Sequence, residues 1–205
     1  MIAVIDYGVG NLFSLASSLR AVGAEAVITS DPEVIASSEK LILPGVGAFG
    51  DAAEKLCTCG LADVICREAA SGKEIMGICL GMQLLFEESF EYGRHKGLGL
   101  LAGSVVPMKG KVPESLKIPH IGWNSLSFVK SSPLMRYVKD GDFVYFVHSY
   151  YAADCDDSLI ATTDYGIPMT AAVQNGNIMG CQFHPEKSGT VGLSILRAFC
   201  EGVSA

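Results

Sequence analysis

Apolar and polar positions follow two rhythms along this chain, and the change between them falls near its middle. In the first half, Ile2–Asp6, Ala26–Thr29, Lys40–Leu43 and Glu74–Cys79 are apolar runs of strand length. Helical patterns separate them. Asn11–Val22 places Leu12, Leu15, Ala16, Leu19 and Val22 on one face, and Gly23 stops the pattern. Asp31-Pro32 is a cap and first-turn pair for a short helix, and Ala62–Ala70 and Leu80–Glu88 also read as helical. Strand–helix alternation with short Gly-rich joins predicts a parallel sheet covered on both faces.

The second half is strand-like. Val105–Pro107, Ser125–Val129, Phe143–Tyr151 and Ser158–Thr163 are rich in aromatic and β-branched residues. Met169–Gln174 and Asn177–Gln182 flank Asn175-Gly176, a strong hairpin signal, and Val191–Cys200 is an amphipathic closing helix. The expected fold is therefore α/β: an open mixed, mostly parallel sheet with helices on both faces and an antiparallel extension in the second half. Residues 1–205 are expected to form a single domain.

Bulk properties narrow the function. A chain of 205 residues, 49% apolar, has material for a large core. Its net charge of −7, with scattered basic residues, argues against nucleic-acid binding. Met1–Asp6 carries no basic side chain, and the first arginine is Arg20, unlike a secretory signal. No apolar run approaches the roughly 18 residues that span a bilayer. Seven irregularly spaced cysteines read as free thiols in a reducing cytosol, which predicts a cytoplasmic protein. Cys57-x-Cys59 has the wrong spacing for a zinc knuckle, so neither metal nor cofactor is expected.

Gly77-Ile78-Cys79-Leu80-Gly81 lies where an apolar strand meets a helix, the thiol form of a nucleophile elbow. The glycines should permit a sharp turn that leaves Cys79 exposed above the sheet. A helix N-terminus behind it would favour the thiolate. The competing reading of Cys79 alone, which the motif outweighs, is a small buried residue at a strand end. Gln182-Phe183-His184-Pro185-Glu186 follows the hairpin. In extended backbone, His184 and Glu186 project the same way, as a base and its orienting carboxylate must. Cys181 is a rival nucleophile, but it sits inside a strand with no elbow and reads as core. His95, His120 and His148 are alternative bases, none with a carboxylate two or three residues away in an extended segment. Pro44-Gly45-Val46-Gly47 ends another strand, and its backbone can aim N–H groups at an oxyanion. Val46 N–H and Leu80 N–H are the candidates.

These residues resemble the class I, triad-type glutamine amidotransferase family. The likeness spans essentially the whole chain, on Pro44-Gly45-Val46-Gly47, Gly77-Ile78-Cys79-Leu80-Gly81-Met82-Gln83 and Phe183-His184-Pro185-Glu186. Asp6-Tyr7-Gly8-Val9-Gly10-Asn11-Leu12, Pro119-His120-Ile121-Gly122-Trp123-Asn124 and His148-Ser149-Tyr150 are similar to the branch that supplies ammonia in histidine biosynthesis. The resemblance implies that Cys79 attacks the side-chain amide of glutamine, that His184 protonates the departing ammonia, and that a γ-glutamyl thioester is then hydrolysed. It implies that Gln83 and Glu91 hold the amino-acid end of glutamine, with Gly47 and the Ser149-Tyr150 backbone lining the pocket. It also implies a (βα)8-barrel cyclase partner in a heterodimer. That partner receives the ammonia and releases imidazole glycerol phosphate and aminoimidazole carboxamide ribotide. Glutaminase activity would stay low until partner and nucleotide bind and the Gly45-Val46 peptide reorients. Asn11, Trp123, Tyr145 and Lys187 are interface or gate candidates; read without the family they are a helix cap, a core aromatic, a strand aromatic and a solvated lysine. Other readings are the glutaminase subunit of another synthase, such as one making pyridoxal phosphate, a free-standing cysteine hydrolase, or a non-catalytic interaction module.

Overall fold

The computed structural model describes residues 1–202. The first half runs β1 (Ile2–Ile5), α1 (Leu12–Ala21), β2 (Ala26–Thr29), α2 (Pro32–Ser37), β3 (Lys40–Leu43), α3 (Phe49–Thr58), α4 (Leu61–Ala70), β4 (Glu74–Ile78) and α5 (Leu80–Leu84). Next come β5 (Phe86–Ser89), β6 (His95–Lys96), β7 (Leu101–Pro107), β8 (His120–Ser125), β9 (Ser127–Phe128) and β10 (Phe143–His148). The chain then forms β11 (Tyr150–Ala153), β12 (Leu159–Asp164), β13 (Pro168–Asn175), β14 (Ile178–Cys181) and α6 (Gly189–Glu201).

Eight strands form the main sheet in the order β2-β1-β3-β4-β14-β13-β12-β9. Strands β2 to β14 in that order run parallel, and β13, β12 and β9 extend the sheet antiparallel. The α/β reading with helices on both faces and an antiparallel extension holds. Alternate residues of each parallel strand feed opposite cores, which is why these strands read as unbroken apolar runs. Val4, Ile42 and Met76 join Leu15, Leu19 and Phe199 on one face; Ala3, Ile5 and Leu41 join Leu56 and Ile65 on the other.

Several local expectations are corrected. The helix expected over Leu80–Glu88 ends at Leu84, and β5 begins at Phe86. Phe86 is buried and aligned with Leu101 of β7, and the Leu85 carbonyl accepts the N–H groups of Leu100 and Leu101. Tertiary strand pairing outweighs the helical pattern there. The stretch Phe143–Tyr151 is two strands in different sheets, since Ser149 separates β10, paired with β8, from β11, paired with β7. Helix α3 was not anticipated, although Phe49, Ala52 and Leu56 form its buried stripe. In the hairpin, Asn175 pairs with Ile178, so the turn residues are Gly176 and Asn177, with Gly176 at φ +56°. Among the described residues, no helix is long and apolar enough to cross a membrane.

Candidate active site

The parallel strands β3, β4 and β14 end side by side, and the three segments singled out in the sequence follow them directly. Cys79 makes the turn between β4 and α5 with φ +55° and ψ −112°, a strained backbone for a residue with a side chain. The flanking glycines have a different purpose from the one expected. Neither Gly77 nor Gly81 has positive φ; both lie where no side chain fits. A Cβ at Gly77 would meet the backbone of Gly81 and Met82 at 2.6 Å, and one at Gly81 would overlap the Leu43 carbonyl. Gly45 is pressed onto the same bend, its virtual Cβ 2.8 Å from Gly81 N. Tyr7 Oη ties this strap down by donating to the Pro44 carbonyl at 2.8 Å.

Cys79 is buried, not exposed as expected, and it lines a cavity of about 370 Å³. The helix behind it is five residues long, so its dipole is weak, and the neighbouring side chains dominate. The thiol donates toward the Val147 carbonyl at 3.9 Å, and Gln182 Nε2 donates to Sγ at 3.8 Å. His184 immediately precedes the short 3-10 turn Pro185–Lys187, Glu186 lies within it, and the two side chains are buried together. His184 Nδ1 lies 2.8 Å from Glu186 Oε1, while Nε2 has no hydrogen-bond partner among the described residues. Burial lowers the His184 pKa, but interactions with Cys79 and Glu186 outweigh it and raise the value to about 9. The imidazole thus has its carboxylate in place, and His184 borders the cavity that Cys79 lines.

Val46, Gly47, Leu80, Gln83, Glu91, Ser149, Tyr150 and Lys187 line that same cavity. Gly47 takes φ +96°. The amide nitrogen of Gln83 donates to the Tyr150 carbonyl at 3.0 Å and to Gln182 Oε1 at 2.9 Å. Glu91 is not on a helix end; it follows β5 and accepts from Phe49 N at 2.6 Å, the first residue of α3. Asn11 lies off the main cavity, in a small cleft with His184 and Glu186, and although it precedes α1 its side chain makes no cap bond. Trp123 and Tyr145 meet edge to face at 6.1 Å, and Lys187 Nζ stands 5.9 Å from the Tyr145 ring. Trp123 is 54% exposed, so it is not the core aromatic of the alternative reading.

The rival groups are placed otherwise. Cys181 is fully buried, and burial, then the charges of Glu186 and Cys79, push its thiol pKa well up, so it is inert core. His95 packs against α3, where a Cβ on Gly50 would touch its ring. His148 lines the cavity and His120 lies behind it, their Nε2 and Nδ1 atoms 3.2 Å apart. Burial lowers the His120 pKa to about 4 and that of His148 to about 3. Sequence reasoning missed Gln182, because a glutamine beside the His-Pro-Glu run carries no spacing signal of its own.

The sequence model of the family "Glutamine amidotransferase class-I" matches residues 3–202. The chain belongs to the class-I glutamine amidotransferase family. Among curated relatives of this amidotransferase, "Imidazole glycerol phosphate synthase subunit HisH" of Caldanaerobacter subterraneus subsp. tengcongensis is 51% identical, covering 98% of both chains. The protein of the same name from Methanothermobacter thermautotrophicus is 48% identical over the full length of both. Solved structures share the fold at lower identity. One titled as a glutamine amidotransferase superposes with TM-score 0.76 at 18% identity, covering 99% of this chain and 100% of the other. PurLQS from Thermotoga maritima gives 0.74 at 23%, covering 98% and 97%.

Proposed function

We propose that this amidotransferase, a single domain, is the glutaminase subunit of imidazole glycerol phosphate synthase, with Cys79, His184 and Glu186 as its catalytic triad. The meeting of Cys79 and His184 with Gln83 and Glu91 around one cavity, with Glu186 holding the imidazole at 2.8 Å, carries the reading. Glutamine enters with its ammonium toward Glu91 and Gln83 Oε1, the acceptor that the amide's other bonds leave available. His184 Nε2 takes the Cys79 proton, and the sulfur attacks the side-chain amide carbon. Val46 and Leu80 N–H groups receive the oxyanion; a donor of this kind is worth about 2.7–4 kcal/mol of barrier. As the C–N bond breaks, the imidazolium protonates the departing nitrogen and ammonia leaves. Its high pKa suits it to hold that proton until then. Water, deprotonated by His184, adds to the thioester; the C–S bond breaks, its electron pair returns to sulfur, and glutamate departs.

Free ammonia in neutral water becomes ammonium and loses its nucleophilicity, so the product needs a covered exit. The outer face of the β8–β10 ribbon supplies a docking surface. Ile121, Trp123 and Phe143 are exposed there, and the equally exposed Val46 lies at the mouth of the cavity. A (βα)8-barrel cyclase seated on this apolar face would close the mouth and receive ammonia. The seven free cysteines accord with the reducing cytoplasm in which such a synthase works. The decisive measurement is glutamine turnover with and without the barrel protein and its nucleotide ligand. Turnover should rise sharply in the complex and vanish in Cys79→Ala. A complex that ignores glutamine, or a Cys79→Ala variant as active as the parent, would overturn the assignment.

A further inference from the structure

Behind the cavity runs a continuous chain of hydrogen bonds whose direction is fixed by one carbonyl. Tyr150 O can only accept, and it receives Gln83 Nε2 at 3.0 Å and His148 Nδ1 at 2.9 Å. Gln83 is thereby oriented with its nitrogen inward, and that nitrogen also donates to Gln182 Oε1 at 2.9 Å. Gln182 has no freedom left. Its oxygen faces Gln83, so its nitrogen must face Cys79, and Nε2 lies 3.8 Å from the sulfur. The side chain is fully buried, and its backbone N–H is held by Ala171 O at 2.9 Å. On the far side, His148 Nδ1 carries the proton given to Tyr150 O, so Nε2 accepts from His120 Nδ1 at 3.2 Å.

We infer that Gln182 is a positioning residue for the nucleophile, its amide locked by Gln83 and Tyr150 so that a donor always faces the Cys79 sulfur. This deepens the glutaminase reading and rests on it. A donor at that position serves the reaction twice. It favours the thiolate before attack, and it receives the sulfur again when the C–S bond of the hydrolysing thioester breaks and the electron pair returns to sulfur. No proton is transferred by Gln182 in either step. The same amide that Gln83 uses to hold Gln182 belongs to the residue proposed to bind the substrate ammonium, so substrate site and nucleophile share one rigid support.

Other titratable groups feel the charge of Cys79: His184 from the turn after β14, Tyr7 after β1 and Cys181 at the end of β14. Glu91, Lys187 and His148 line the remaining cavity wall. These are common to parent and variant, so the comparison isolates Gln182. Two substitutions probe it. Gln182→Glu keeps the acceptor for Gln83 but turns a carboxylate oxygen toward the sulfur; Gln182→Met removes both groups at similar length and carries the test if the buried carboxylate prevents folding. Alkylation of Cys79 by iodoacetamide, read by peptide mass spectrometry to separate it from the exposed Cys57 and Cys59, is followed against pH. At pH 7 the rate should fall about tenfold in Gln182→Met and further in Gln182→Glu, with rates within about twofold of the parent at pH 10. In the complete synthase complex kcat should fall about tenfold or more while KM stays within about threefold. Parent-like alkylation at pH 7, or a raised KM with unchanged kcat, would reduce Gln182 to a prop for Gln83 and overturn the inference alone. A parent complex that never turns over glutamine would overturn it together with the glutaminase reading.

Discussion

Two buried histidines line one cavity, and they behave in opposite ways. His184, after β14, has its pKa raised to about 9; His148, at the end of β10, has its pKa lowered to about 3. Burial pushes both downward, so burial cannot be what separates them. His184 has a carboxylate at 2.8 Å and the Cys79 thiol beside its ring. His148 has a carbonyl and a second imidazole, and the carbonyl's support is outweighed by burial and by repulsion from His120 and His184 when those rings are protonated. The charge of a buried imidazole is thus decided by whether an acidic partner was buried with it. One ring is built to carry a proton, and the other is built never to.

The sharpest way to break this contrast is to remove the proposed base. His184→Gln should lower glutamine turnover of the complex by roughly 10⁴-fold. A loss smaller than about tenfold would mean that His148 or another group can serve as the base. Removing only the carboxylate should have a middling effect. In Glu186→Gln, turnover should drop roughly 10²-fold, because the imidazole keeps a hydrogen-bond partner but loses the charge that stabilises its protonated form.

That substitution also leaves a signature in stability. Because the folded His184 pKa lies above the unfolded value, its contribution is complete below about pH 6.5 and is lost as pH rises through about 9. The parent should lose on the order of 3 kcal/mol across this window in urea unfolding, and Glu186→Gln should show a flatter profile. The His120–His148 pair gives the opposite slope. His120 and His148 are neutral when folded, so their contribution is complete above about pH 6.5 and is lost as pH falls toward 4 and then 3. His148→Gln, which can still donate to Tyr150 O, should blunt that acid-side loss and change turnover less than tenfold. An unchanged acid limb would show that the pair does not titrate as described.

Much of the architecture was legible because parallel strands buried on both faces must be apolar throughout. Strands β2 and β3 appear in the sequence with the bounds the structure gives them, and β1 and β4 with bounds one residue longer. The segments of the proposed triad were legible for the same reason, since Cys79 and His184 follow strand ends closely. What stayed hidden depends on contacts made far along the chain. Phe86 looks like the next turn of a helix until Leu101 arrives beside it, and Phe143–Tyr151 looks continuous until its two ends join different partners. Cys79 looked exposed because the elbow pattern says nothing of β10, whose Val147 carbonyl covers the thiol. Gln182 gained its place only through Gln83 and Tyr150, residues about 99 positions earlier and more than 30 earlier in the chain.

The close contacts at Gly45, Gly77 and Gly81 bear on any attempt to retrain this enzyme for another amide. At these three positions even a methyl group collides with backbone atoms, and backbone cannot swing aside as a side chain can. A mutant library that randomises the bend around Cys79 would spend most of its members on chains that cannot close. Diversity belongs instead at Val46, which borders the cavity with an exposed side chain. Natural variation faces the same barrier: substrate preference can drift along the rim while the bend itself stays fixed.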